Sequence, residues 1–459
     1  MLVATAACFA LTVFVFYPGV MTYDARYVYQ DIAKGFLGDW QSPVMTVIWA
    51  WIDPLAPGAA SMFLLIALLY WLAIALTARS LRERPLAVVL LFAAALSPPL
   101  FVFVGIIWRD VPFAALWLMA AALALIAART EQRASLVLRI VCLLLLALGV
   151  LLRPNALPAA PVLAAVLLWP RGFDWRRAVL LYAPLALMSY GVVHLTYYTL
   201  LHAERQNPLH SLFVFDLAGI THVTGENQFP VAWPDDEMKR LTGDCYNADS
   251  WDRYWTGDCA FAMRRIEGEA KLFGTPELSA AWRKAVLTHP LAWLRHRCAF
   301  MTNFLFGSNL TMWLVDIEDT SRTLYPDKPA FQALRSLHDA LKPTPLFRAG
   351  TWLILCLVVC AFAWRRRFSA HGAFALGICG SAAVYVASFF IVGVASDFRY
   401  AFWAVLAGLA GAIVLAFGGG SPARGADLPD ATAMTPSGQP TTTLRETQGS
   451  AHELRAHSL

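Results

Sequence analysis

The chain has 459 residues, of which 58% are hydrophobic and only 15% charged, and its formal net charge is +5. A soluble domain carries about 25% charged residues, so the composition excludes an ordinary soluble globular protein and specifies one that spends much of its length in lipid. The arginines fall between apolar runs, so the positive balance is a topology signal and not a nucleic-acid surface.

In chain order, apolar runs predict membrane helices over 2–17, 59–78, 85–107, 111–128, 136–152, 156–169, 178–200, 347–364, 372–394 and 401–417. The first run has no small-residue cleavage site before Tyr17, Pro18 and Gly19, and it reads as a retained helix rather than a signal peptide. Residues 43–55 are too short to span, and Trp49 and Trp51 suit a helix lying at the interface. The expected fold is an all-α polytopic membrane protein with about ten transmembrane helices. It divides into a core over 1–200, a small extracytoplasmic domain over 201–346, C-terminal transmembrane helices over 347–417 and a tail over 418–459. The tail is rich in Gly, Ser, Thr and Pro and is expected to be disordered on the cytoplasmic side.

Arginines decide the orientation. The stretches 79–84, 129–139, 171–177 and 365–367 carry three arginines each, whereas the opposite short loops hold only Arg26, Lys34, Arg109, Arg153 and Arg399. The positive-inside rule sends the four arginine-rich stretches to the cytoplasm and the 201–346 segment outside. The outer face then collects Thr22-Tyr23-Asp24-Ala25-Arg26, the 38–43 loop around Trp40, Trp108-Arg109-Asp110, Arg153-Pro154-Asn155 and Ser396-Asp397-Phe398-Arg399-Tyr400. Asp24 with Arg26, Asp110 with Arg109, and Asp397 with Arg399 form three acid–arginine pairs at one membrane depth, which suggests a site for an anionic ligand with proton chemistry. Snorkelling anchors at helix ends are the alternative for any single pair.

A first helix, an outer loop with an aspartate a few residues in, an interfacial helix, and a second outer loop with a basic residue before Asp110 together resemble the GT-C superfamily of membrane glycosyltransferases. That layout is similar to protein O-mannosyltransferases, aminoarabinose transferases and bacterial oligosaccharyltransferases. The stretches 17–25 and 39–44 look closest to a bacterial branch whose second motif reads Asp-Trp-His-Pro-Pro; here Gln41 and Ser42 stand where that branch has His-Pro. The 289–297 stretch also resembles that branch.

The resemblance implies transfer of a sugar from a polyprenyl-phosphate donor to a glycan, lipid or protein acceptor on the outer face of a bacterial cytoplasmic membrane. It implies Asp24 as the catalytic carboxylate, with Asp110 as a second that holds the acceptor or a divalent ion. Arg153, Arg109 and Arg399 are candidates for the donor phosphate, because a guanidinium stays charged and binds phosphate through two bonds. Arg153 leads, as it has no acid beside it in sequence. Tyr23, Tyr27 and Trp40 are candidates for substrate contact. Asp24 or Asp110 could instead cap the helix that follows it. The cofactor stays open, a divalent metal ion being one candidate, and nucleic acid is not an expected partner.

In the outer segment the sequence Thr-Gly-Asp-Cys occurs at 242–245 and again at 256–259. Two identical turns ending in cysteine, in an oxidising compartment, predict a Cys245–Cys259 disulfide with Cys298 free. Residues 279–306 interleave Trp, Arg and His and read either as interfacial helices that cover the site or as ordinary packed helices. A transporter or lipid flippase is the alternative function. It would more often carry charges or broken helices near the midplane and repeat symmetry between its halves.

Overall fold

The computed structural model describes residues 1–128, 132–307 and 328–418. The tail beyond Gly418, part of the 129–139 arginine stretch and part of the 201–346 segment therefore lie outside the described residues. Every regular element described is helical, and the only β-type pairings are isolated bridges.

The first half contains α1 (Leu2–Phe16), α2 (Tyr23–Lys34), α3 (Pro43–Ile52), α4 (Ala59–Ser80), α5 (Pro85–Ala95), α6 (Pro98–Val104), α7 (Asp110–Ala127), α8 (Gln132–Leu152), α9 (Ala160–Leu168) and α10 (Trp175–His194). A π-helical turn carries α10 on to Leu200. Then come α11 (His210–Thr224), α12 (Asp235–Thr242), α13 (Pro276–Thr288), α14 (Pro290–Phe306), α15 (Pro329–Leu341), α16 (Ala349–Trp364), α17 (Ala370–Val392) and α18 (Phe402–Phe417).

Five helices among the described residues are long and apolar enough to cross a bilayer: α4, α7, α10 with its extension, α17, and α18 with the turn from Phe398. The number is six if α5 and α6, bent 60° from one another, form one span. This corrects the expected ten. The bend falls where Ser97 is followed by Pro98 and Pro99, and a proline cannot supply the hydrogen bond that would carry α5 through. The run at 156–169 is consumed by a 3-10 turn and the nine-residue α9. The 2–17 and 347–364 runs give helices of 15 and 16 residues, and only the stretch Leu136–Leu152 of α8 counts as apolar helix, also short of the five. The 43–55 run is a ten-residue helix, as its length requires.

The helices place the two ends of the bundle apart. Arg171 Nε donates to the Ala128 carbonyl beyond the C-terminus of α7 at 3.2 Å. Phe173 N–H donates to the Arg367 carbonyl at 2.6 Å, and Arg366 Nη1 donates to the Leu415 carbonyl near the end of α18 at 3.1 Å. The arginine-rich loops 171–177 and 365–367 therefore share one end. Asp110, at the start of α7, and Arg399, before α18, lie at the other. An 18-residue helix such as α7 separates them by about 27 Å. Close helix approach inside the bundle uses small residues, as is usual in lipid: a Cβ on Gly149 of α8 would sit 2.4 Å from the Trp117 ring of α7.

Candidate functional site

Two backbone ties bring the sequence-distant motifs together. The stretch before α2 pairs with the stretch before α7: Val20 N–H donates to the Gly105 carbonyl at 2.9 Å and Ile107 N–H to the Val20 carbonyl at 3.0 Å. Trp108 Nε1 then donates to Thr22 Oγ1 at 2.7 Å. These ties set Asp24 beside Arg109 and Asp110. On the far side, Trp251 N–H donates to the Val394 carbonyl at 3.0 Å and Ser396 N–H to the Asp249 carbonyl at 2.7 Å. The 201–346 segment thus braces the strand-like stretch that delivers Asp397 and Arg399.

Asp24 is in the first turn of α2, whose N-cap is Thr22 without a side-chain cap bond. Its carboxylate does not cap the helix. Oδ2 meets Arg399 Nη1 at 2.6 Å, and Oδ1 accepts from Gln41 Nε2 at 3.2 Å. Gln41, where the resembled motif has histidine, therefore touches the candidate base. Burial alone would raise the Asp24 pKa, but Arg399, then Arg109 and Arg153, outweigh it and hold the carboxyl below its usual value.

The pairing differs from the sequence expectation in two of three cases. Asp24 pairs with Arg399, not Arg26, and Asp110 pairs with Arg153, not Arg109. The Asp397–Arg399 pair forms as read, at 3.0 Å. Arg153 was expected to carry free charge. Instead it is buried, 3.2 Å from Asp110, donates from Nε to the Tyr385 hydroxyl at 3.1 Å and packs over the Tyr400 ring at 4.8 Å. Asp110 does not cap α7 either, since its carboxylate is turned to Arg153.

The cation left over is Arg109. Among the described residues its guanidinium makes no ion pair and donates no hydrogen bond. Burial and the neighbouring Arg153 lower its pKa, although Asp24 and Asp110 pull the other way. Arg109 is thus a cation held beside another cation and facing a cleft. The cleft, about 250 Å³ with the space open to solvent included, is lined by Asp24, Gln41, Trp108, Arg109, Asp110 and Arg399, with Ala25, Val28, Met45 and Ile107 as its apolar wall. We expect Arg109→Ala to fold normally and to weaken binding of a phosphodiester lipid at least 10-fold, the loss of one charged hydrogen-bonding partner. Isothermal titration with the lipid checks this, and unchanged affinity removes Arg109 from the site.

Three residues read as substrate contacts are not in the cluster. Tyr23 is exposed. The Tyr27 hydroxyl accepts from Gln206 Nε2 at 2.8 Å. Trp40 packs on Trp251 and Phe273, with ring centroids 6.0 and 6.2 Å away. Tyr385 gives little signal in sequence, as a tyrosine inside the apolar α17, whereas Tyr400 belongs to the 396–400 motif beside Arg399.

Asp397 sets the balance around Arg399. Burial pushes its pKa up to about 6 against the pull of Arg399. An acid whose folded pKa exceeds its unfolded value of about 4 favours the fold most below pH 4 and loses that contribution as pH rises through 6. Wild-type stability relative to Asp397→Asn should therefore fall by about 2–3 kcal/mol between pH 4 and 7. Denaturant titration at several pH values checks it, and a pH-independent difference contradicts it.

Among the described residues no group of three or more His, Cys, Asp and Glu could hold a metal ion. The cluster carboxylates are each engaged by a guanidinium, a donor set that does not fit a divalent ion.

Cys245 and Cys259 are joined by a disulfide, and Cys298 is a free, exposed thiol. The bridge closes the loop containing the 249–251 brace. Replacing both cysteines by serine should cost about 3 kcal/mol for a loop of this length, measured by thermal unfolding; an unchanged midpoint would reject that.

A second charged cluster lies within the 201–346 segment. Asp216, mid-way along apolar α11, meets Arg297 Nη2 at 2.6 Å, and both side chains are fully buried. Trp282 and Trp293 donate their indole N–H groups to Asp216 Oδ2 at 2.7 and 3.0 Å. Arg297 Nη1 donates to the Gly393 carbonyl at 2.6 Å. The residues at 279–306 thus form packed helices around a sealed ion pair that ties α14 to the end of α17. A carboxylate inside the apolar α11 run was the missed signal.

No family model, curated protein or solved structure matches the chain. Fold and composition define an all-α, multi-pass membrane protein in a lipid bilayer. At one end of its bundle a carboxylate–guanidinium cluster opens to a cleft.

Proposed function

We propose that the protein is a membrane glycosyltransferase of the GT-C kind. It moves a sugar from a polyprenyl-phosphate donor to an acceptor on the extracytoplasmic face of a bacterial cytoplasmic membrane. By the positive-inside rule the 171–177 and 365–367 loops face the cytoplasm, so the cluster faces outward. The observation that carries the reading is that Asp24 shares one cleft with Arg109 and with Arg399, which it meets directly.

The donor's phosphodiester engages Arg109 and draws Arg399 from Asp24. The freed carboxylate then hydrogen-bonds the acceptor hydroxyl. The acceptor oxygen forms a bond to the anomeric carbon as the bond from that carbon to the phosphate oxygen breaks. The hydroxyl proton passes to Asp24, and the electron pair stays on polyprenyl phosphate. That leaving group gains one negative charge, which Arg109 and Arg399 stabilise more strongly than they do the donor's. Arg153 and Asp110 position these groups from beneath, with Arg153 stacked on Tyr400 beside Arg399.

A polyprenyl-phosphate sugar bearing a photoreactive group on its first isoprene tests the reading. It should crosslink to peptides from α2, the 105–110 loop or 396–403. Crosslinks confined to the exposed face of α10 would place the lipid elsewhere and overturn the reading.

A further inference from the structure

The arginine-rich end of the bundle is more than a topology marker. The stretches 169–177 and 364–368 interlock through the Phe173–Arg367 backbone bond. Gly172 lies so close to Phe368 that a Cβ there would stand 3.3 Å from its Cα. This packing holds Arg171, Arg176, Arg177, Arg365, Arg366 and Arg367 in one strip with a single carboxylate, Asp174.

That carboxylate is already used. It accepts from the Arg176 N–H at 3.0 Å as the N-cap of α10 and pairs with Arg177 at 3.3 Å. Arg171, Arg366 and Arg367 spend hydrogen bonds on neutral backbone carbonyls. Among the described residues no other arginine of the strip pairs with a carboxylate, so most of the charge is uncompensated. A cleft of about 230 Å³ opens in the strip, lined by Ala165, Trp169, Gly172, Phe173, Asp174 and Arg177.

The surroundings select the ligand. Guanidinium groups lie over Trp169, Trp175, Trp364 and Phe368 at 4.5–5.9 Å, the aromatic–cation layering of a membrane interface. One turn further into α10, Val179 and Leu180 are 67% and 76% exposed. Phosphate-seeking cations above and bare aliphatic surface below match a headgroup joined to acyl chains.

We propose that this strip binds an anionic phospholipid, its phosphate among Arg176, Arg177 and Arg365 and its chains along the first turns of α10. The site lies at the opposite end of the bundle from Asp24 and does not depend on the reaction assigned there.

Native mass spectrometry of the purified protein in detergent tests it, with phosphatidylglycerol and phosphatidylcholine of identical acyl chains as probes. The wild type should retain phosphatidylglycerol and release phosphatidylcholine. An arginine near an anionic headgroup is worth about fivefold in affinity, so Arg176→Gln, Arg177→Gln and Arg365→Gln together should lower phosphatidylglycerol affinity about 100-fold. Arg79→Gln, Arg82→Gln and Arg84→Gln together, removing equal charge from another arginine-rich stretch, should leave it unchanged. If the first triple variant fails to fold, Arg177→Gln alone should lower affinity about fivefold. Equal retention of both lipids, equal loss in the two triple variants, an Arg177→Gln variant with wild-type affinity, or displacement of phosphatidylglycerol by inorganic phosphate would each overturn the proposal.

Discussion

An Asp24→Asn variant is expected to insert and fold normally yet transfer sugar about 10²–10⁴-fold more slowly, the usual contribution of a general base. Asparagine keeps the shape and the hydrogen bond to Gln41 but cannot take the acceptor proton. A capping role predicts the opposite, because asparagine caps a helix as well as aspartate does, and Asp24 makes no cap bond here. Asp24→Glu retains the charge but displaces it by one methylene, and a misplacement near 1 Å can cost about 10²-fold. Steady-state rates with membrane yield as the folding control check both. An Asn variant with near-normal transfer returns Asp24 to structure.

The largest effect on stability is expected at Asp216. Asp216→Ala leaves Arg297 charged and fully buried and removes the acceptor of two indole N–H groups. Breaking a buried pair from one side costs about 3–5 kcal/mol, and each orphaned donor adds about 1 kcal/mol or more. Thermal unfolding in detergent should show a marked drop in midpoint, with Asp216→Asn intermediate because its carbonyl oxygen still accepts. A change under about 1 kcal/mol, the range of an ordinary surface substitution, would mean that the network contributes little. Arg153→Ala belongs to the same class: with Asp110 buried beside it, it should destabilise as well as impair donor use, so Arg109 is the cleaner probe of phosphate binding.

Much of this arrangement was legible because membrane depth is written in the sequence. Apolar runs located α4, α7, α10, α17 and α18, and loop arginines separated the two ends of the bundle. Asp24, Arg109, Asp110, Arg153 and Arg399 could be assigned to one end on that basis alone. Which acid met which arginine could not be read, because pairing depends on how helices rotate and cross. Asp110 and Arg109 adjoin at the start of α7 and line one cleft, yet it is Arg153, from a separate helix end, that pairs with Asp110. The span count failed for a related reason. Hydropathy measures length of apolar sequence, and it does not register that the prolines at 98 and 99 break one run or that residues 154–159 divert another. The surroundings of the aromatic candidates could not be read either, because an aromatic beside a polar motif is as apt to pack as to bind: Trp40 packs at a tilt against Trp251 and Phe273.

Incubation of the purified, reconstituted protein with labelled polyprenyl-phosphate sugars separates glycosyl transfer from lipid movement. The predicted result is loss of the labelled donor with release of an equal amount of free polyprenyl phosphate and label in a new product, abolished by Asp24→Asn. Donor recovered chemically intact but redistributed between the two leaflets would contradict glycosyl transfer and identify a flippase.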